Sequence, residues 1–528
     1  MSQAQRPDDA PQPRTGRHAV RKRRRSRVAR AGRAVGIFVV VVFLLVGGLY
    51  AYSQYRYHQI PKLTLHSLSP IVASQPINIL LVGSNTRTGL KASQVKYFGS
   101  ATQVGGARSD VTMIAHFNPA TSQVSLLSIP RDLFMPIPNT NLANRVDSEL
   151  NVSPDQLVRT VEQDLGIPIQ HFVELNFDSF QNVVNALGGV RMDFPMPVRD
   201  AYSGLNVTTT GCQTLNGFQA LEVVRARHLE YYSNGVWTED PLGDLSRIRR
   251  DHEFLKVLAA EVKQKGLSNP FTLNSILSGI VKYLKVDSSF TFNNMVALAL
   301  KYRNASVSAA QAVTLPVALE NGPNNGGYYY NGANYGDIVF PAEPQDTQLI
   351  DKTLGLSVPK ISPSAITVSV LNGTGAYQQA ASVAHSLKAL GYRIGTIGNA
   401  TVTSTSYPQT ENPTETIVQY EPGHLPQAEV VKNSLSGAVI MGQINHTSTG
   451  AGVQVITGTG LVVATPSTTP TTSSATHAKK SSKGSTTSSS NATTTTTAPN
   501  TAPYSLPATL SNQPLQPWDP RACSSSSG

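Results

Sequence analysis

Cysteine is nearly absent from this 528-residue chain: there are two, Cys212 and Cys523, far apart, and Cys523 sits in a Ser-rich terminus. So sparse a set indicates no disulfide framework, and Cys212 reads as an inert small residue. There is no C-x-x-C pair and no histidine cluster, so nothing suggests zinc. Acids are scarce in the first 33 positions, where Asp8 and Asp9 stand against eleven Lys/Arg. That tail carries +9 of the formal +11 and leaves the rest of the chain close to neutral. The basicity is therefore local, and nucleic acid is not an expected partner.

Residues 34–52, AVGIFVVVVFLLVGGLYAY, carry no charge. Their length matches the roughly twenty residues a helix needs to cross a bilayer. The basic run before them places the N-terminus in the cytoplasm. Tyr50, Tyr52, Tyr55 and Tyr57 cluster at the far end, as interfacial aromatics do. A cleaved signal peptide is the competing reading, but the basic region is long and the apolar run exceeds a usual signal core. The expectation is a single-pass protein of the cytoplasmic membrane with its main domains outside.

The expected organisation is a basic cytoplasmic tail (1–33), a transmembrane helix (34–52), a connector (53–75), a first α/β domain (76–360), a small second α/β domain (364–446) and a tail (464–528). In the first domain INILLVGS, DVTMIAHF and QVSLLSIP read as strands; the first is nearly all apolar and so buried on both faces. Ser153-Pro154-Asp155-Gln156 starts a helix that ends near Gly166, and Asp178 caps another stopped by Gly188-Gly189. Alternating strands and helices predict a three-layer α-β-α sandwich. In the second domain ITVSVLNG is a strand and Ala376–Leu390 a helix stopped by Gly391. RIGTIG, ETIVQY and AVIMG are further strands, with a helix around Gln427–Leu435. After Pro466 the chain is Ser, Thr, Pro and Ala, too polar to bury a core, and is expected to be disordered.

Arginines recur at element ends. Arg87 and Arg131 follow strands, where α/β sheets bind ligands, while Arg108 and Asp110 open one. If Val223–Arg227 is extended, Arg225 and Arg227 share a face. LSRIRRDHEFLKVLAAEV reads as a helix capped by Asp244, with Ile248, Leu255, Leu258 and Val262 as its apolar stripe and Arg247, Arg250 and Phe254 on another side. Guanidinium is a permanently charged fork that grips phosphate oxygens in pairs, so a pyrophosphate suits such a set. Each arginine taken singly is more often an ion-paired surface residue. Arg247 and Asp251 are spaced as a helix salt bridge, and Asp132 reads as a brace for Arg131.

The ordered series INILLVGSNTR, ARSDVTM, LSIPRDL, DLGIPIQHFVELNFDSFQNVVNALGGVRM, LNGFQALEVVRAR and DLSRIRRDHEFL resembles the LytR–CpsA–Psr family over roughly Ile77 to Val262. VSVLNGTGAYQQAASVAHSLKALGYRIG resembles the LytR C-terminal domain that follows this core in many actinobacterial members. The resemblance implies transfer of a glycopolymer, arabinogalactan or a similar secondary wall polymer, from a polyprenyl-pyrophosphate carrier to peptidoglycan, forming a phosphodiester. It implies that Arg87, Arg108, Arg131, Arg225, Arg227, Arg247 and Arg250 hold the pyrophosphate, and that the lipid lies in an apolar groove. Asp110 and the residue at position 85 would hold Mg²⁺, with Asp110, Arg131, Arg225 and Arg227 at the reacting centre.

Three positions depart from the family pattern: Asn85 stands for Asp, Asp251 for Gln, and Arg145-Val146-Asp147 for a Lys-Ile-Asn-like step. An amide brings no charge, and Mg²⁺ prefers carboxylates and water. Two alternatives therefore stay open: a catalytically weakened member that binds lipid pyrophosphate or wall polymer as scaffold or regulator, and a hydrolase of the same carrier.

Overall fold

The structure is a computed structural model and describes residues 48, 50–86, 106–138, 140, 142–266, 275, 284–302, 304–305, 312–320, 327–330, 332–400, 414–464 and 511–524. The chain divides into two units, Met1–Tyr57 and His58–Gly528. In the first, residues 50–57 are helical. The basic tail and most of the expected span lie outside the described residues, and among the described residues no helix is long and apolar enough to cross a membrane.

In the second unit the elements that matter here are, in chain order, β1 (Lys62–Leu63), β2 (Ile77–Ser84), β3 (Ser109–Asn118), β4 (Gln123–Ile129), α1 (Val146–Val152), α2 (Pro154–Leu165), β5 (His171–Asn176), α3 (Phe177–Ala186), β6 (Val190–Phe194), β7 (Gly211–Leu215), α4 (Gly217–Arg225), α5 (Gly243–Glu261), β8 (Lys285–Asp287) and β9 (Ala312–Thr314). A seven-stranded sheet runs β1-β8-β5-β2-β3-β4-β9. β2 lies at its centre, antiparallel to β3 and parallel to β5. This position is why its sequence is almost wholly apolar. Leu80 and Val82 join Ile114, Leu127 and Ile129 under α1 and α2 on one face. Ile79, Ala115 and Leu126 face Phe290 on the other.

α2 begins as expected: the Ser153 side chain accepts from the Gln156 N–H, Pro154 is the first helical residue, and Gly166 ends the helix in the left-handed region at φ 69°. The cap of α3 is Asn176, which accepts from the Ser179 N–H, and not Asp178, which falls inside the first turn. α3 and α4 touch at Gly217, where a Cβ would lie 2.3 Å from the Gln181 carbonyl oxygen. Only glycine permits this approach. Val223–Arg227 is not extended: α4 runs to Arg225, with a capping box of Asn216 and Gln219 at its start, because Ala220, Leu221 and Val223 bury a helical face.

The chain goes on through β10 (Ile338–Glu343) and α6 (Gln345–Leu354), and the C-terminal domain then adds β11 (Thr367–Asn372), α7 (Gln379–Ala389), β12 (Arg393–Asn399), β13 (Thr416–Tyr420), α8 (Leu425–Lys432), β14 (Leu435–Gln443) and β15 (Val453–Thr457). A second sheet, separate from the seven-stranded one, takes in strands of both domains in the order Val317–Glu320, β10, β14, β13, β15, β11, β12. The join is the antiparallel pairing of Ala342 with Ala438 and Glu343 with Gly437. Lys432, buried in α8, reaches Glu343 at 2.6 Å and Asp346 at 3.7 Å across that join.

The end of the chain corrects two expectations. Residues 511–524 are ordered against the first domain, while 465–510 lie outside the described residues. β16 (Arg521–Ala522) pairs with β6, and Cys523 forms a disulfide with Cys212 of β7. Trp518 stacks on Tyr231 at 4.1 Å between ring centroids. Asp519, fully buried, accepts from Arg249 Nε at 2.7 Å and lies 3.5 Å from Arg250 Nη1.

Candidate functional site

Between the sheet and α3, α4 and α5 lies a cavity of about 640 Å³. Its inner wall is apolar, with Leu81, Met113 and Leu175 from strands and Phe180, Val224, Phe254 and Leu258 from helices. Arg108, Arg131, Arg225, Arg227 and Arg247 line the same cavity, with Asp110 and Asp251. Shared acids link Arg108, Arg131, Arg227 and Arg247 into one cluster, and the Arg225 guanidinium lies 4.9 Å over the Phe177 ring.

Local chain geometry brings these groups together. Beyond the end of β2 the Asn85 N–H donates to the Arg108 carbonyl at 3.0 Å, and the Arg108 N–H donates to Asn85 Oδ1 at 2.9 Å. The amide thereby extends the β2–β3 ladder and sets Arg108 at the rim, two residues before Asp110. Past β4, a turn in which the Leu133 N–H donates to the Pro130 carbonyl swings Arg131 inward. Arg131 Nη1 donates to Asp110 Oδ1 at 2.7 Å. The Asp147 N–H donates to the Arg131 carbonyl at 3.1 Å, which fixes the first turn of α1 behind it.

A second rank of acids holds the arginines from behind. Asp132 meets Arg131 at 3.4 Å, Arg145 at 3.6 Å and Arg227 at 3.0 Å. Asp244 is gripped by both ends of Arg247, at 2.9 and 3.2 Å, and by Arg227 at 3.0 Å. Buried Asp147 lies within 4 Å of Arg108, Arg131 and Arg145. Burial opposes the charge on Arg131, but Asp132, Asp110, Asp244 and Asp147 outweigh it and hold the pKa above its ordinary value. Burial likewise opposes ionisation of Asp244, and Arg247 and Arg227 overcome it, drawing the pKa down to about 2. The arginines are thus preorganised and charged, which is what an anion site requires.

Among the residues expected at the site, Arg108, Asp110, Arg131, Arg225, Arg227, Arg247 and Asn85 converge on this cavity. Arg87 lies outside the described residues. Arg250 does not reach the cavity: its Nη1 donates to Asp240 at 3.1 Å and its Nη2 to the Ala226 carbonyl at 2.7 Å. Three residues on from Arg247 in α5, it turns toward acids that come from other segments. Asp244 is not the helix cap: Leu242 takes that position, and Asp244 falls inside the first turn with its carboxylate held by Arg247 and Arg227. Tyr202 and His228, whose tilted rings lie 4.7 Å apart, line the cavity and were not expected there. Neither belongs to a periodic pattern that would have marked it.

Oxygen donors for a divalent cation are present in Asp110, Asp251 and Asn85. Among the described residues no group of three or more His, Cys, Asp or Glu could hold a metal. Two carboxylates and an amide oxygen are donors of the kind Mg²⁺ takes together with phosphate oxygens of a ligand.

The fold and the cavity define a class: an α/β protein with an arginine-headed, apolar-walled pocket. Residues 51–336 match the LytR_cpsA_psr family, and the chain belongs to it. Residues 365–460 match a domain described as LytR cell envelope-related transcriptional attenuator. The probable cell wall biosynthesis protein LcpB of Corynebacterium glutamicum is 32% identical over 243 residues, covering 46% of this chain and 54% of LcpB. The chain thus spans about half the length of that relative. The polyisoprenyl-teichoic acid–peptidoglycan teichoic acid transferase TagU of Enterococcus faecalis is 28% identical over 276 residues, 51% of this chain and 81% of TagU. A solved LytR-Csp2A-Psr enzyme from Actinomyces oris superposes with a TM-score of 0.43 at 22% identity, covering 56% of this chain and 95% of that one.

Proposed function

We propose that this protein transfers a wall glycopolymer from a polyprenyl-pyrophosphate carrier to peptidoglycan, on the outer side of the cytoplasmic membrane. The observation that carries this reading is the convergence of five arginines at the head of an apolar slot. A diphosphate satisfies the guanidiniums and a polyprenyl chain fills the slot, so the ligand's two halves match the cavity's two halves. Names of relatives that act on teichoic acid and peptidoglycan support the same reaction class. The uncharged segment 34–52, with its basic flank, would keep the protein where such a lipid lies.

In the reaction a peptidoglycan hydroxyl oxygen bonds to the phosphorus that bears the glycan. The bond from that phosphorus to the bridging oxygen breaks, the lipid monophosphate leaves, and the hydroxyl proton passes to water. Arg131, Arg225 and Arg227 neutralise charge on the diphosphate as it shifts to the leaving phosphate. Arg108 and Arg247 hold the remaining oxygens. Asp110, positioned by Arg131, orients the attacking hydroxyl. Mg²⁺, when bound, would supply further neutralisation of the diphosphate; Asp110 would hold it, and the second position of the family pattern is occupied here by the neutral Asn85. In this actinobacterial-type layout the polymer would be arabinogalactan or a similar secondary wall polymer.

The test is transfer from a polyprenyl-pyrophosphate-linked saccharide to a peptidoglycan fragment by the detergent-solubilised full chain. Turnover that falls at least 100-fold in Arg131→Ala supports the reading. Binding of the lipid without turnover would point instead to a scaffold, and unchanged turnover in Arg131→Ala would refute the site.

A further inference from the structure

α5 places Asp251 one turn beyond Arg247, facing the cavity, with its side chain 5% exposed. Oδ2 accepts from Arg247 Nη1 at 3.3 Å. Oδ1 is buried and has no hydrogen-bond partner. Arg247 does not depend on this contact, since Asp244 already holds it at two atoms. A carboxylate oxygen left unsatisfied at the wall of a cavity is costly unless the cavity's occupant satisfies it. Asp251 is thus poorly served by the protein alone.

A diphosphate by itself makes matters worse, because it sets negative oxygens against the carboxylates of Asp251 and Asp110. A divalent cation between carboxylates and phosphate reverses the sign of that contact. Asn85 cannot provide the missing charge, and its Oδ1 is already engaged with the Arg108 N–H. The cavity nonetheless keeps two carboxylates: position 85 is neutral and position 251 is charged. We propose that Asp251, with Asp110, supplies the carboxylates of a divalent-cation site that is completed by the diphosphate ligand, and that Asn85 serves as a backbone clamp.

This inference rests on the pyrophosphate reading of the same cavity, so the experiment separates the two. Geranyl pyrophosphate is titrated calorimetrically into the detergent-solubilised full chain, once with Mg²⁺ and once with EDTA. The wild type is expected to bind at least tenfold more tightly with Mg²⁺. Asp251→Asn is expected to lose that gain, falling below threefold, while its affinity in EDTA stays equal or improves because one repelling charge is gone. Asn85→Asp combined with Asp251→Gln returns a carboxylate to the cavity and should recover the gain, which also controls for misfolding of the single variant. Chelation of Mg²⁺ by the free ligand is common to all the proteins and cancels in the comparison. A Mg²⁺ gain retained in Asp251→Asn overturns the assignment of Asp251 alone, as does a wild type that binds without any gain. A wild type that binds in neither buffer removes the pyrophosphate reading and this inference with it.

Discussion

Replacing Asp519 by alanine should destabilise the first domain by about 3 kcal/mol, although Asp519 lies nine residues from the last residue of the sequence. Arg249 and Arg250 are 8% and 1% exposed, and both lie against Asp240 and Asp519. Two buried guanidiniums therefore face two buried carboxylates. Asp240 Oδ2 already receives Arg249, Arg250 and the Trp518 indole, each at 3.1 Å, and has no capacity to replace its neighbour. Removing one partner of a buried pair typically costs about 3–5 kcal/mol, because an uncompensated charge remains. The lower end applies here, since Asp240 stays in place. Urea unfolding followed by tryptophan fluorescence measures the effect directly, and the domain's melting temperature should fall by roughly 6–10 °C. A double-mutant cycle with Arg250→Met isolates the coupling, expected at about 2 kcal/mol or more. A loss below about 1 kcal/mol, the range of exposed pairs, would show that water reaches the cluster and that the tail is not part of the core.

Other outcomes follow from the same geometry. Cys523→Ser should lower the unfolding free energy by a few kcal/mol, and the midpoint with it. The disulfide closes a separation of 311 residues, for which chain entropy sets a ceiling of about 6 kcal/mol; an unchanged midpoint under non-reducing conditions would argue against the bond. Val224→Asp puts a charge on the apolar wall, so affinity for long-chain polyprenyl pyrophosphates should drop at least tenfold while that for inorganic pyrophosphate holds; equal losses for both would refute the division of the cavity. Burial, with Asp147 adding repulsion, raises Glu149 to about 7. The unfolded chain ionises first as pH climbs from about 4.5, so native stability is lost between there and 7. Glu149→Gln should therefore match the wild type near pH 4 and exceed it by up to roughly 3 kcal/mol at pH 8; a pH-independent difference would count against this account.

What could be read in advance was local. β2, β3 and β4 declare themselves because each is apolar, short and bounded by turn residues, and α2 because Ser153, Pro154 and Gly166 punctuate it. The arginines around the cavity were legible as a series of motifs in order. Where reasoning failed, the deciding partner came from far along the chain. Arg247 and Arg250 share a helix, and periodicity cannot say that Asp240 and Asp519 draw the second away from the cavity. The Cys212–Cys523 bond joins segments separated by a long Ser/Thr tract, so composition alone discounted it. That the Arg108 backbone N–H donates to Asn85 was equally out of reach, because the partner comes from another strand.

The strand pairing of Glu343 with Gly437, locked by Lys432, builds strands that precede the C-terminal module into its own sheet, so the module is not a bead on a leash. Anything gripped by that module is held at a set reach and angle from the arginine head. On the proposed function, an acceptor held there would meet the phosphate at a fixed offset, and the protein would serve as a gauge.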